Sequence, residues 1–416
     1  MTGHGASPPA ARRTVIRDTT ALLGRELEIR EHVDIVIEDS RIEAIGRWQG
    51  KSGAAVIDGR ELLAIPGLVN AHIHLNDAPL KDVGSGRSMV ELVHPVHGLK
   101  KVGLEGLSSR ARLHAMDDAL TLMVKAGITT ALNFHEETNG LLGRLKGSAV
   151  SILSSFCRPA RYFNSGQIRR NASYTRAEMD DFRRLAVSYD GVAISGANEY
   201  TDRALEQISG ATDRRRAVHA SETVETVRAS LEMTGRTEVE RLMSHFRPDI
   251  LIHMTHPTKK EIENVAAAGA GVVFCPRCNA VLGSGFPPVA SILKSGVKAG
   301  LGTDNLMINS PDMFREMEFT SRMVRSVEGS PSAIDSSRVL MLATSEGAEA
   351  VGLGGRTGML AEGLDADIAL IDLNGALSGT ADIHSGIVHR ASPQDVVATI
   401  KRGKMIYRTE MIREKG

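Results

Sequence analysis

Between residues 63 and 354, short apolar runs alternate with longer stretches whose apolar residues recur at helical spacing. Eight runs read as strands: Leu63–Val69, Thr129–Phe134, Val150–Phe156, Val192–Ser195, Ala217–His219, Ile250–His253, Val272–Cys275 and Val297–Leu301. Between them lie helical patterns such as Ser108–Lys125, Arg176–Val187, Glu222–Met233 and Lys259–Ala268. Near-continuous apolar runs mark strands buried on both faces, and parallel neighbours need a crossover of helical length. Eight such alternations predict an α/β chain folded as a (β/α)8 TIM barrel.

The flanks have another texture. Met1–Arg13, with Gly, Ser and Pro-Pro, reads as a loose leader. Val33–Glu38 alternates, Asp39-Ser40 is a turn, and Arg41–Gly46 alternates again, a hairpin pattern. At the far end, Asp365–Asp372, Val396–Ile400 and Met405–Tyr407 read as strands, the last two joined by a turn at Lys401–Lys404. Each end alone has too little core to stand by itself. The expectation is one small β-sandwich built from residues 14–64 and 355–416, around a barrel spanning 65–354.

Lys+Arg and Asp+Glu both number 50, so the formal net charge is zero and electrostatic capture of nucleic acid or of an anionic membrane is not expected. No apolar stretch approaches a bilayer span, and Met1–Arg13 lacks a signal-peptide core, so a cytoplasmic protein is expected. Cys157, Cys275 and Cys278 fit a reducing compartment without a disulfide framework.

A barrel gives the polar residues an address, because strand C-termini converge on one rim. His72 and His74 follow the first run, which Pro66-Gly67 kinks; His219 ends the fifth, His253 ends the sixth, and Asp304 follows the eighth. On an extended backbone, residues i and i+2 point to one side, so His72 and His74 can reach one ion. Three imidazoles and a carboxylate make a first shell for a divalent metal with room for water, so His72, His74, His219 and Asp304 are the proposed ligands. Zn²⁺ is the first choice, with Fe²⁺ or Mn²⁺ as alternatives. Such an ion acidifies its bound water and supplies hydroxide near neutrality. Glu222, three residues after His219, is placed to shuttle a proton between that water and a substrate nitrogen. His253 is placed to orient the hydroxide or stabilise a tetrahedral centre. Asp304 doubles as proton acceptor. His256, in the loop before Pro257, stays outside the catalytic set.

With these residues in view, the chain resembles the amidohydrolase superfamily, in the branch of cytosine deaminase, guanine deaminase, S-adenosylhomocysteine deaminase and the triazine chlorohydrolases. The resemblance rests on Pro66-Gly-Leu-Val-Asn-Ala-His72-Ile-His74, His219-Ala-Ser-Glu222, His253, Cys275-Pro-Arg-Cys-Asn279, Gly302-Thr-Asp304 and Ala361-Glu-Gly-Leu-Asp-Ala-Asp367. It implies a barrel with a β-sandwich from both termini, one metal ion per chain, hydrolytic deamination, and a homo-oligomer, most often a dimer. Two-metal members carry a lysine on the fourth strand. Gly191–Gly196 has none, although Glu199 stands nearby as a carboxylate. The implied substrate is a small amino-substituted heterocycle such as a purine, pterin, nucleoside or pyrimidine-like compound. Alternatives are opening of a cyclic amide as in imidazolonepropionase, hydrolytic dechlorination, or a non-catalytic assembly subunit. Arg277 and Asn279 are expected to shape the pocket. His94 and His97, in the long loop after the first strand, and His135 with Glu136 and Glu137, after the second, are candidate substrate contacts.

Overall fold

The computed structural model describes residues 13–50, 53–93, 98–135, 141–145, 147–159, 161–412 and 414–415. Residues 1–12 of the predicted leader and the candidates His94, His97, Glu136 and Glu137 lie outside the described residues, whereas Arg13, taken as the end of that leader, already opens a strand and pairs with Glu38. No helix among the described residues is long and apolar enough to cross a membrane.

Parallel strands follow one another round a curled sheet in chain order. They are β1 (Leu68–His74), β2 (Ile128–Phe134), β3 (Leu153–Cys157), β4 (Gly191–Ile194), β5 (Arg215–Ala220), β6 (Ile250–His253), β7 (Gly271–Phe274) and β8 (Ala299–Leu301). β8 pairs with β7. Just beyond it, Asp304–Asn305 pairs with β1, placing Asp304 opposite Ile73 and Asn305 opposite His74. One segment of chain therefore joins the two ends of the sheet, giving a TIM-like barrel. Helices form where caps and apolar spacing agree. Lys259–Ala268 has the predicted bounds, opened by a Thr258–Glu261 capping box and ended by Gly269 in the left-handed region.

Both chain ends meet in a second sheet of nine strands, which includes Arg13–Leu23, Glu28–Glu38, Arg41–Gly46, Leu62–Pro66, Ile368–Asp372, Val396–Lys401 and Lys404–Arg408. Its apolar cluster, with Ile16, Ile35, Ile57, Ala64, Ile368, Leu370 and Ile400, is distinct from the cluster between barrel and helices.

The first predicted strand is corrected here. Leu63–Val69 is not one barrel strand. Leu62–Pro66 pairs antiparallel with Ile368–Asp372 in the terminal sheet, and the barrel begins only after Gly67. A Cβ at Gly67 would lie 2.2 Å from the Thr129 side chain, so the crossing point admits no larger residue without a shift. His72 and His74 are consequently inside β1, not beyond its end. Val69 and Ala71 belong to the barrel interior, whereas Ile73 packs in the layer towards the helices. The register irregularity between Asn70 and Ile73 accounts for that switch and turns both histidines inward.

The closing segment is tightly fitted. Asn70 Nδ2 donates to Thr303 Oγ1 at 2.8 Å, and the Thr303 amide donates to Asn70 Oδ1 at 3.0 Å. A Cβ on Gly302 would stand 2.8 Å from the His72 Cβ and backbone nitrogen. Gly302→Ala is expected to cost about 1–3 kcal/mol by forcing β1 and the closing segment apart. Gly106→Ala, whose Cβ would meet nothing nearer than 3.6 Å, is expected to stay within about 0.5 kcal/mol of wild type. Thermal or urea unfolding of the two variants checks the difference.

Candidate active site

The irregular β1 and the closing segment bring the predicted ligands together. His72 Nε2 and His74 Nε2 each lie 3.2 Å from His219 Nε2. Asp304 Oδ1 lies 3.0 Å from His72 Nε2 and 3.4 Å from His74 Nε2. Donor atoms of all four residues fall within 4.8 Å of one another. Imidazole nitrogens about 2.1 Å from a tetrahedral zinc ion stand about 3.4 Å apart, so this spacing fits a metal of that size. His219 Nδ1 donates to the Ser195 carbonyl at 2.8 Å, which leaves its Nε2 lone pair facing the cluster. Phe134 closes the apolar side, its ring centroid 4.5 Å from that of His72 and 5.0 Å from that of His219.

Next to this cluster, His253 Nε2 lies 3.5 Å from Glu222 Oε2 and 3.9 Å from Asp304 Oδ2. Asn279 fixes the ring: its amide donates to Thr255 Oγ1 at 2.8 Å, so its carbonyl oxygen accepts from His253 Nδ1 at 2.9 Å. The Nε2 of neutral His253 therefore presents a lone pair to the centre. Ser221, His253, Met254 and Asp304 all adopt positive φ, between 47° and 74°. For residues other than glycine these conformations are strained, and such strain gathers where a site over-determines its backbone. Hydrogen bonds from the Met254 amide to the Ala220 carbonyl and from the Thr255 amide to the Ser221 carbonyl hold the ends of β5 and β6 in this shape.

Burial sets the protonation pattern. It pushes His72 down to about 4 and His219 well below the usual imidazole range, and it lowers His253 too, so these rings are neutral and able to bind or accept. Burial acts the other way on Asp304, but the His72 hydrogen bond and the facing imidazoles outweigh it and hold the carboxyl well below its ordinary value. Glu222 is raised well above the usual carboxylic range, first by burial and then by the charges of Asp304, Glu238 and Glu199. Two carboxyl groups at one centre are thus driven apart, one ionised and one protonated.

These groups form the floor of a cavity of ≈ 350 Å³. The predicted contacts fare unevenly. Arg277 is turned away from it: its amide and guanidinium engage buried Glu316, and Nη1 reaches the Ser310 and Asp312 carbonyls, so it clamps the loops after β7 and β8. Asn279 acts through His253 and does not line the cavity. His135 is buried behind Phe134 and stacks on Tyr189 at 5.5 Å, also outside the cavity. His256 donates from Nε2 to the Ser284 carbonyl at 2.6 Å, a structural bond. Cys278 lines the cavity, and Cys275 belongs to a second donor group with His253 and Asp304. Burial raises both thiols well above their ordinary range, which leaves them poor ligands and poor nucleophiles. Glu199 accepts a hydrogen bond from the Ser195 hydroxyl at the cavity wall.

Sequence reasoning singled out neither Arg112, Arg158 and Tyr162 on the cavity wall nor Lys100 and Lys101 beside them. Arg158 directly follows β3, so the rule of strand C-termini that found His253 would have found it too. Over the cavity sits a small separate apolar cluster of Leu80, Leu92 and Met307, with Leu99, Leu104 and Ile308 packed against it.

Comparison with known proteins agrees with this geometry. Residues 63–406 match the model of the amidohydrolase family. A putative aminohydrolase of Methanothermobacter thermautotrophicus is 34% identical over 405 residues, covering 95% of this chain and 99% of that protein. A 5-methylthioadenosine/S-adenosylhomocysteine deaminase of Thermococcus sibiricus is 29% identical over 413 residues, covering 94% and 93%. Among solved structures, an adenosine deaminase from Xanthomonas campestris with bound zinc superposes with a TM-score of 0.81 at 21% identity, covering 98% of this chain and 95% of that one. With the family match running from residue 63 to residue 406, and the four converging donors inside it, this chain belongs to the amidohydrolase family.

Proposed function

We propose that the chain is a metal-dependent aminohydrolase that replaces the amine of an amino-substituted heterocycle, purine-, pterin- or pyrimidine-like, with a carbonyl oxygen. The observation that carries this reading is the meeting of the four proposed ligand atoms with Glu222 and His253 at one cavity floor, where burial pushes the Glu222 carboxyl up and the His253 imidazole down. The deaminase names of the relatives point the same way. We assign the barrel to residues 68–354 and a β-sandwich to 14–67 with 355–416, the boundary expected at residue 65 moving to Gly67 because Leu62–Pro66 pairs in the terminal sheet, and we take one metal per chain, zinc first, and a homodimer.

His72, His74, His219 and Asp304 would hold the ion, which when bound acidifies a water and offsets negative charge at the reacting carbon. Glu222 Oε2 gives its proton to the ring nitrogen next to the amine-bearing carbon, which makes that carbon electrophilic. His253 Nε2, with Nδ1–H committed to Asn279, accepts a hydrogen from the attacking water and fixes its direction. Asp304 Oδ2 takes the water's proton. The C–N bond then breaks, the departing amine takes that proton as ammonia, the hydroxyl gives its remaining proton back to Glu222, and the ring carbon keeps the oxygen as a carbonyl. Ring opening of a cyclic amide would release no ammonia, and dechlorination would release chloride.

Glu222→Gln is expected to lower kcat by about 10²- to 10⁴-fold while metal content stays at wild-type level. Because the protonated form of Glu222 is the active one, wild-type kcat should fall as pH rises through its raised pKa. A coupled ammonia assay across pH, with metal analysis on the same preparation, checks both; near-normal turnover in the variant would remove Glu222 from the mechanism. The wild-type chain is expected to carry about one metal ion, and a chelator should lower its melting temperature until metal is restored, since a ligand of the native state stabilises it. His219→Ala should melt at the same temperature with and without the chelator.

A further inference from the structure

The Nδ1 of His219 donates to the Ser195 carbonyl just beyond β4, so the direction of its Nε2 depends on where the loop after β4 lies. That loop contains a single short turn, Ala197–Glu199, whose own backbone bond runs from the Tyr200 amide to the Ala197 carbonyl. It is gripped from outside by Arg241, a side chain with no solvent exposure. Nη1 of Arg241 donates to the Ala197 carbonyl at 3.0 Å and Nη2 to the Tyr200 carbonyl at 2.7 Å, one on each side of the turn. Nε donates to Asp202 Oδ1 at 2.9 Å, a carboxylate that also accepts from Arg236. Arg241 ends the one-turn helix Glu238–Arg241, which a Thr237–Glu240 capping box opens. The start of that helix packs on the same loop, since a Cβ at Gly196 would lie 3.7 Å from Glu238 Oε1. Asn198 Nδ2 adds a bond of 2.8 Å to the Thr226 carbonyl, in the helix that follows Glu222.

A guanidinium taken fully out of water is a costly way to stabilise a fold, and apolar residues of similar volume often do as well as a buried ion pair. What an apolar side chain lacks is a planar fork that holds two carbonyls and a carboxylate at fixed angles. Resting on the reading of His219 as a metal ligand, we propose that Arg241 is a positioning residue of the metal site. It fixes Ala197 and Tyr200, the loop so held fixes the Ser195 carbonyl, and that carbonyl fixes the tautomer and direction of His219. An imidazole already aimed at the centre has less freedom to lose when an ion binds, so the grip of Arg241 is read out as metal affinity. Lysine keeps the charge but is a point donor without the fork, and methionine keeps only the bulk.

The test uses the full chain, with zinc as the probe. Zinc affinity is measured by competition with a chromophoric chelator for wild type, Arg241→Lys and Arg241→Met. Both variants are expected to bind zinc about tenfold more weakly, the scale on which the partners of ligating histidines act. Ile35→Ala, in the buried cluster of the terminal sheet, is the control for lost stability. It should lower the melting temperature while zinc affinity stays within about twofold of wild type, because distant sites act independently. A second readout needs no metal. In the metal-free chain with isotope-labelled histidine, NMR should show the His219 Nδ1 proton exchanging about tenfold faster in Arg241→Lys than in wild type, since the loop opens more often. Ile35→Ala should leave that exchange unchanged. If the wild-type chain binds no zinc, the reading of His219 as a ligand fails, and proton exchange alone decides whether Arg241 holds the loop. Should Arg241→Met not fold, Arg241→Lys carries both measurements. Wild-type zinc affinity together with wild-type exchange in Arg241→Lys overturns the proposal, as does a loss of affinity no larger than that of Ile35→Ala.

Discussion

The seam between β1 and the segment that follows β8 is the constraint on which the rest of this molecule depends. It joins the ends of the parallel sheet, and it sets Asp304 beside His72 across 232 residues of chain. Asn70 and Thr303 hold it with two hydrogen bonds out of water's reach, where an unpaired amide would cost about 1–3 kcal/mol. Gly302 lets the backbones approach closely enough for His72 Nε2 to donate to Asp304 Oδ1 at 3.0 Å. The cluster of proposed ligands is therefore less an addition to the barrel than a product of how the barrel shuts.

Much of this was legible in the residues. Buried parallel strands leave uninterrupted apolar runs, so the eight-fold alternation and the convergence of His219, His253 and Asp304 could be read directly. The helix Lys259–Ala268 was read to the residue because its capping box and terminal glycine are local signals. The long apolar run at 62–69 misled because two strands of different sheets abut there with one glycine between them. Apolar character cannot report which sheet a residue joins; only pairing with Ile368–Asp372 does, and that partner lies some three hundred residues away. The inward turn of His72 and His74 likewise depends on a register irregularity that no spacing reveals.

Substrate contacts were less legible than ligands for a physical reason. A metal ligand must sit at a strand end and be His, Asp, Glu or Cys, which leaves few choices. A wall residue can come from any loop or helix, and Arg277 and Arg158 look alike as letters. One faces buried Glu316 and stitches loops together, whereas the other looks into the cavity over Tyr162, 5.2 Å away. Asn279 fell between the two classes, near the chemistry but acting through His253.

The apolar cluster over the cavity has a consequence for how the molecule breathes. Leu80 and Leu92 come from the loop after β1, while Met307 and Ile308 come from the turn just after Asp304. This patch is small, and the partly buried Leu282 and Ile308 link it to the interior of the barrel. Its backbone can open at a smaller free energy than the strands beneath, so its amides exchange with solvent first. Since Met307 and Ile308 follow closely on Asp304, a proposed ligand, an ion held there would also slow that opening. The roof and the proposed metal site would thus share one thermodynamic hinge.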